Sequence, residues 1–257
     1  MLTLLPLPAF SDNYIWLLHD GCQAWVVDPG DAAVVRDYLQ RLGLSLQGIL
    51  LTHHHPDHTG GVGALRRQTG AAVHGPHGEP LPEPVKRLRE GDRLDILGCR
   101  FEVLEVPGHT AGHIAYFSKD SADAPILFCG DTLFSAGCGR LFEGTPAQML
   151  ASLDKLAALP PRTRVCPAHE YTLGNLRFAQ AVEPGNQDVA AYLRRCIALR
   201  AGGEPTLPSR LACELRVNPF LRSREPAVRH ALRARLSDGA DDVQVFAALR
   251  EWKNDFR

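Results

Sequence analysis

Thr52-His53-His54-His55-Pro56-Asp57-His58-Thr59-Gly60-Gly61 places five side chains able to ligate a metal within six residues. It follows an apolar run, Gly48-Ile49-Leu50-Leu51, that reads as a buried strand. Imidazole and carboxylate donors suit zinc, iron or manganese. Packed this closely they are costly as mere structure, because each buried polar group needs a partner. The H-x-H-x-D-H pattern therefore points to a metal site. Pro56 biases His55 toward extended backbone. In an extended segment His53 and His55 point the same way and His54 points away, whereas Asp57 and His58 begin a helix and face a second point. The motif by itself suggests two metal positions, with His54 a bystander.

Working outward, residues 2–7, 14–19, 23–28 and 47–52 read as strands, and Asp20-Gly21 as a hairpin turn. Asp31 caps a helix that runs to Leu42 and stops at Gly43. Asp57 is expected to cap a helix over 59–68, closed by Gly70, with a short strand at 71–74. Residues 77–90 hold three prolines and read as a loop. Strands are expected over 93–97, 100–106, 113–118, 126–129 and 164–166, and a helix over 146–159 with Thr145 as its N-cap. Beyond Tyr171 strand signals fade, and helices are expected over 175–182, 189–200, 227–236 and 243–253. The alternation of strands and helices implies an α/β domain over 1–172, followed by a small all-α domain over 173–257.

Composition narrows the class. With 45% hydrophobic and 22% charged residues, the 257-residue chain is an ordinary globular protein. Seven scattered Cys without a C-x-x-C pair argue for a reducing, cytoplasmic setting and against a disulfide or Cys-ligated zinc scaffold. The apolar start lacks a basic n-region and reads as a strand, not a signal peptide. No apolar run approaches about 20 residues, so no membrane span is expected. From Arg194 onward thirteen Arg or Lys face eight Asp or Glu, a net +5 within an overall −1. That surplus fits either a solvated helical surface or an attraction for an anionic ligand, and its interleaved acids make nucleic acid a poor partner.

Each further polar cluster also follows a strand: Gly108-His109-Thr110-Ala111-Gly112-His113, Gly130-Asp131-Thr132, and Ala168-His169-Glu170-Tyr171. Ligands at several strand ends can converge at one sheet edge. With Val26-Val27-Asp28-Pro29-Gly30, these stations resemble the metallo-β-lactamase superfamily, which implies an αββα sandwich. Phe10-Ser11-Asp12-Asn13-Tyr14-Ile15-Trp16, Gly130-Asp131-Thr132-Leu133-Phe134, Gly137-Cys138-Gly139-Arg140, His169-Glu170-Tyr171-Thr172, Asn175-Leu176-Arg177-Phe178, Asn218-Pro219-Phe220-Leu221-Arg222 and Arg250-Glu251-Trp252-Lys253 are similar to the hydroxyacylglutathione hydrolase (glyoxalase II) family. This resemblance spans essentially the whole chain.

The resemblance implies that His53, His55 and His109 hold one divalent ion, that Asp57, His58 and His169 hold a second, and that Asp131 bridges them. Zinc is the first expectation, with iron or manganese also compatible. It assigns catalytic roles to Asp131 and Asp57, and glutathione contacts to Arg140, Tyr171, Arg250 and Lys253. It implies hydrolysis of S-D-lactoylglutathione to D-lactate and glutathione by a hydroxide between the two metals, in methylglyoxal detoxification, by a cytoplasmic monomer. Asp28 is expected to orient the ligand loop, His113 to be a satisfied core residue, and Cys138 to be structural. The sequence departs from the usual family pattern at Arg140 (commonly Lys), at Phe142 (commonly Tyr) and at Pro167-Ala168 (commonly Cys-Gly). The competing expectation is a glutathione persulfide dioxygenase of the same fold with a single iron.

Overall fold

A computed structural model describes residues 2–256, so Met1 and Arg257, at the outer ends of the two expected domains, lie outside the described residues. The chain opens with β1 (Thr3–Ala9), β2 (Asn13–His19), β3 (Gln23–Val27), α1 (Ala32–Leu42) and β4 (Ser45–Leu50). The ligand stretch makes one helical turn, α2 (Pro56–Thr59), before α3 (Val62–Thr69), β5 (Ala72–Pro76) and β6 (Lys86–Leu88). These six strands form one sheet in sequence order, antiparallel from β1 to β3 and parallel from β3 to β6.

Next come β7 (Arg93–Ile96), β8 (Cys99–Glu105), β9 (Ile114–Ser118) and β10 (Ile126–Gly130). A small hairpin of β11 (Leu133–Phe134) and β12 (Gly137–Cys138) leads to α4 (Pro146–Ala157) and β13 (Arg164–Pro167). The remainder is α5 (Thr172–Val182), α6 (Gln187–Ala201), β14 (Ser209–Arg210), α7 (Leu211–Val217), α8 (Pro226–Ala231) and α9 (Asp242–Asp255). The second sheet has the order β14-β13-β10-β9-β8-β7.

The two sheets face each other. Trp16, Leu18, Val27 and Leu50 of the first meet Phe101, Val103, Ile114, Tyr116 and Phe128 of the second in one apolar layer. Val35 and Leu39 of α1 and Val62 and Leu65 of α3 cover the outer face of the first sheet. Met149, Leu153 and Leu156 of α4 cover the second, joined by Phe178, Val245, Phe246 and Leu249 from the C-terminal helices. This is the expected αββα sandwich followed by a helical segment. The helices share a core with the sheet and are not a separately tethered body.

Local chemistry explains the element ends. The Asp31 side chain accepts from the Ala33 amide, and Gly43 closes α1 with left-handed φ of 65°. Thr145 and Gln148 make a reciprocal capping box on α4, as Asp241 and Gln244 do on α9.

Four expectations change. Asp57 does not cap a helix over 59–68: it lies inside the single turn α2, and the longer helix starts afresh after Gly61. The proline-rich loop contains β6, whose pairing with β5 supplies order that side-chain pattern did not reveal. Beyond residue 171 the two-residue strand β14 pairs with β13, at the edge of the second sheet. α7 follows it directly and was not expected. Among the described residues no helix is long and apolar enough to cross a membrane.

Candidate metal centre and substrate cleft

The polar clusters follow β3, β4, β8, β10 and β13, and the sandwich brings those strand ends together at one edge. Asp28, at the end of β3 with φ of 53°, accepts from the Thr52 amide and the Thr52 hydroxyl, both at 2.8 Å. That pair of bonds ties the end of β3 to the start of the histidine stretch. Backbone packs so closely here that a Cβ on Gly30 would lie 1.8 Å from the Asp57 carbonyl oxygen, so only glycine fits.

Three imidazoles then converge. His53 Nε2 and His109 Nε2 each lie 3.0 Å from His55 Nδ1. Their outer nitrogens fix the tautomers. His109 Nδ1 lies 2.9 Å from the Arg140 carbonyl, which only accepts, so Nδ1 carries the proton. The Thr52 hydroxyl already donates to Asp28, so His53 Nδ1 donates to it across 3.0 Å. Both Nε2 atoms therefore present lone pairs toward His55. One proton on His55 Nδ1 satisfies only one of them, whereas a cation among the three nitrogens satisfies all. Burial first, and then the neighbouring imidazoles, hold His53 well below the usual histidine range and His55 below it. Burial lowers His109 likewise. Neutral imidazole is the ligating form.

Beside this trio lies a more acidic group. His58 Nε2 stands 3.3 Å from Asp57 Oδ2 and 3.6 Å from Asp131 Oδ1. His169 Nε2 stands 3.5 Å from Asp57 Oδ2 and 3.4 Å from Asp131 Oδ2, and the same Asp131 oxygen lies 3.4 Å from His109 Nε2. Asp131 thus faces imidazoles of both groups. His58 Nδ1 is 3.2 Å from Asp28 Oδ2 but poorly aligned, so neither of its ring nitrogens, nor Asp131 Oδ1, makes a formed hydrogen bond. Buried donors and acceptors left this way are rare unless something else coordinates them. Burial alone would lower His58, but Asp131 and Asp28 outweigh it and raise it well above the usual range. The same imidazoles overcome burial to hold the Asp131 carboxyl far below its usual range. The donor set fits divalent ions: the potential ligand atoms of His53, His55 and His109, of His53, His58 and Asp131, and of Asp57, His58 and His169 each lie within 4.8 Å of one another.

A cleft of about 570 Å³ opens from this centre, and its lining includes His109, Asp131, Arg140, Tyr171, Arg250 and Lys253. Lys253 is lowered from the usual lysine value of 10.5 by burial first and then by Arg250 and Arg140, so the three cations sense one another. Tyr171 stacks flat on His169, centroids 4.7 Å apart and planes at 4°. Burial and the nearby Asp12 push its phenol up, so it keeps its proton. Arg250 is buried rather than a solvated helix end. Its Nη1 donates to the Cys138 carbonyl at 2.8 Å and its guanidinium lies over the Phe220 ring. Phe142, 63% exposed, sets its ring edge-on to His55 and His109.

The remaining sequence candidates find defined places. His113 is fully buried, accepts from the Asp131 amide at 3.1 Å and stacks on His53, so it is a satisfied core residue that supports the Asp131 backbone. Burial raises the Cys138 thiol against the opposing pull of Arg250, which suits a structural residue and not a nucleophile. At the Pro167-Ala168 departure the backbone is tied down: Trp16 Nε1 donates to the Pro167 carbonyl, and the Tyr14 amide donates to the Ala168 carbonyl.

Several supporting residues carried no assignment in the sequence reading. Asp12 accepts from His169 Nδ1 at 2.7 Å, and the Asn13 amide donates to Asp57 Oδ2 at 2.9 Å. From the C-terminal helices, Glu214 accepts from the Ser135 hydroxyl and the Ala136 amide, while Asn218 donates to the Phe134 and Gly137 carbonyls. Asn175 donates to the Ser135 carbonyl. Side chains from the helical segment thus template the hairpin that runs from Asp131 to Arg140. Asp12, Asn13, Asn175 and Asn218 lie within motifs that carry the family resemblance, which was their sequence signal; Glu214 had none.

Comparison with known proteins agrees with this geometry. Residues 10–169 match the metallo-beta-lactamase superfamily, and residues 170–256 match the hydroxyacylglutathione hydrolase C-terminus. A hydroxyacylglutathione hydrolase of Albidiferax ferrireducens is 62% identical over 98% of this chain and 99% of its own. Among solved structures, ETHE1 from Myxococcus xanthus superposes with a TM-score of 0.64 at 27% identity, covering 100% of both chains. TTHA1623, solved in a di-iron-bound form, gives 0.60 at 29% identity, covering 85% of this chain and 99% of its own.

Proposed function

The chain belongs to the hydroxyacylglutathione hydrolase family, and from that premise we propose that it hydrolyses S-D-lactoylglutathione to D-lactate and glutathione at a centre of two divalent ions. It is a thioester hydrolase. The observation that carries the finer reading is the pairing, in one cleft, of inward-facing imidazole lone pairs and buried carboxylates with the cationic cluster of Arg140, Arg250 and Lys253.

In this reading His53, His55 and His109 would hold one ion, Asp57, His58 and His169 would hold the other, and Asp131 would serve both. When bound, such a pair acidifies a shared water and neutralises charge developing on the thioester oxygen. The chain's own residues do the rest. Asp12, Arg140 and Thr52 fix the imidazole tautomers through their outer nitrogens. Asn13 holds the Asp57 carboxylate in place. The leaving thiol, with an ordinary pKa of about 8.5, departs as thiolate, so no strong general acid is needed. Glutathione carries two carboxylates and one ammonium. Arg250 and Lys253 would meet a carboxylate, and Arg140 and the protonated Tyr171 hydroxyl would meet the peptide part.

The donor set accepts zinc first, with iron or manganese compatible, and the di-iron-bound relative supports two ions. We place the domain boundary between 172 and 173; the two family matches meet three residues earlier, between 169 and 170. All seven cysteines are free, which supports a cytoplasmic site of action. We further propose that the chain acts as a monomer in methylglyoxal detoxification.

The test is to mix purified protein with S-D-lactoylglutathione, follow loss of thioester absorbance, and measure metal per chain. Rapid loss with two ions per chain is expected. Two ions with no loss above background would end the reading, and oxygen uptake with glutathione persulfide at one iron per chain would replace it.

A further inference from the structure

We propose that Glu79 is a positioning residue for the metal centre: a buried brace that sets the loop carrying His53 and His55 against the loop carrying His109. The inference rests on the two-ion reading above. Glu79 lies in the proline-rich stretch that reads from sequence as plain loop, yet its side chain is only 1% exposed. Its Oε1 accepts from the Thr110 hydroxyl at 2.7 Å and from the Gly112 amide at 2.8 Å. Its Oε2 accepts from the His54 amide at 3.2 Å and contacts His54 Nδ1. Thr110 follows His109 directly, and His54 sits between His53 and His55. One carboxylate therefore holds the neighbours of all three imidazoles that converge on the first metal position.

The brace is itself anchored. Arg87 Nη1 donates to the Glu79 carbonyl at 2.6 Å and to the Pro76 carbonyl at 3.1 Å. The fit is close as well, since a Cβ on Gly112 would lie 2.9 Å from Glu79 Oε1. A second, more exposed link runs parallel: His54 Nε2 lies 3.5 Å from Glu143 Oε1, and Glu143 Oε2 accepts from the Ala111 amide at 2.8 Å. His54 is therefore not idle. It is the strut between Glu79 and the ligand stretch.

The donor atoms of His54, Glu79 and Glu143 also come close enough for a cation. Chemistry favours the brace, because both Glu79 oxygens already accept from two donors each, which fills a carboxylate's capacity. Glutamine replaces it poorly: on either side its NH2 would meet a backbone amide, His54 or Gly112, that can only donate.

The test is metal retention by the full chain dialysed against graded chelator, together with kinetics. Glu79→Gln should hold one of the two ions about 10–100-fold more weakly, with kcat lowered and KM for the thioester within about twofold. Thr110→Val, which keeps shape and loses one donor, should weaken that ion about 3–10-fold. It decides the matter if Glu79→Gln fails to fold. Two ions held by both variants at parental affinity would overturn the brace. A third ion in the parent, lost in Glu79→Gln and Glu143→Gln, would overturn it in favour of a cation site. A parent that holds fewer than two ions would instead bring down the two-ion reading beneath it.

Discussion

The two walls of the cleft are built by opposite strategies. The metal-facing wall draws four side chains from one six-residue stretch and completes itself with single residues at three other strand ends. Its geometry is set by short loops and by hydrogen bonds to outer ring nitrogens. The cationic wall has no such nucleus. Arg140 follows a hairpin, Tyr171 ends a loop, and Arg250 and Lys253 sit on the last helix. On the proposed reading, the metal centre grows from a nucleus that is local in sequence, while recognition of glutathione is assembled wholly by tertiary packing. The two should therefore fail differently.

The largest effect is expected at Asp131. Asp131→Asn should lower kcat/KM by about a thousandfold or more, the scale on which single groups that stabilise developing charge act. It should also reduce bound metal, measured by thioester assay and elemental analysis. Retention of both activity and metal would break the contrast. Chelation should abolish activity and lower the melting temperature, since ions bound only by the folded state stabilise it. Readdition of metal should restore both.

On the other wall, Lys253→Ala should raise KM about 10–100-fold, the range for a hydrogen bond to a charged group, with kcat little changed. Arg250→Ala should behave less cleanly. It leaves the buried Cys138 carbonyl unpaired, at a cost of about 1–3 kcal/mol, and loosens the hairpin that begins at Asp131. It should lower the melting temperature and kcat as well as raise KM. Equal effects of the two substitutions would show that Arg250 is merely a second clamp.

The cationic wall also predicts a pH dependence. Lys253 titrates below 10.5, because burial and its neighbours Arg250 and Arg140 disfavour the charged form. Its attraction for a carboxylate is complete below its lowered pKa and is lost as pH rises through it. The kcat/KM profile should therefore fall on the alkaline side before pH 10.5, and Lys253→Ala should remove that limb. The smallest effect is expected for Phe142→Tyr: its exposed ring already packs on His55 and His109, so the added hydroxyl should change KM only a few-fold.

The same contrast explains what could be read in advance. The sandwich was legible because each sheet strand of the first half except β6 has its own apolar pattern and each ligand cluster follows one. The ligand candidates were legible because His and Asp crowd together there. Asp12 was not, since its partner His169 lies 157 positions away and no local period links them. Glu79 was hidden among prolines, and the ordering strand β6 has only three residues. The i,i+3 spacing of Arg250 and Lys253 shows a shared helix face, but not that Arg250 packs against Phe220 and Cys138. Glu214 drew no reading and Asn218 was visible only as part of a motif; packing alone reveals that both hold another segment's backbone.

The central claim is that hydrolysis depends on the two groups of ligands that Asp131 joins. Metal-free protein should be titrated with zinc while hydrolysis of S-D-lactoylglutathione is followed. The account predicts that activity rises until two equivalents per chain are bound and then levels off. Full activity at one equivalent, or in metal-free protein, would contradict it.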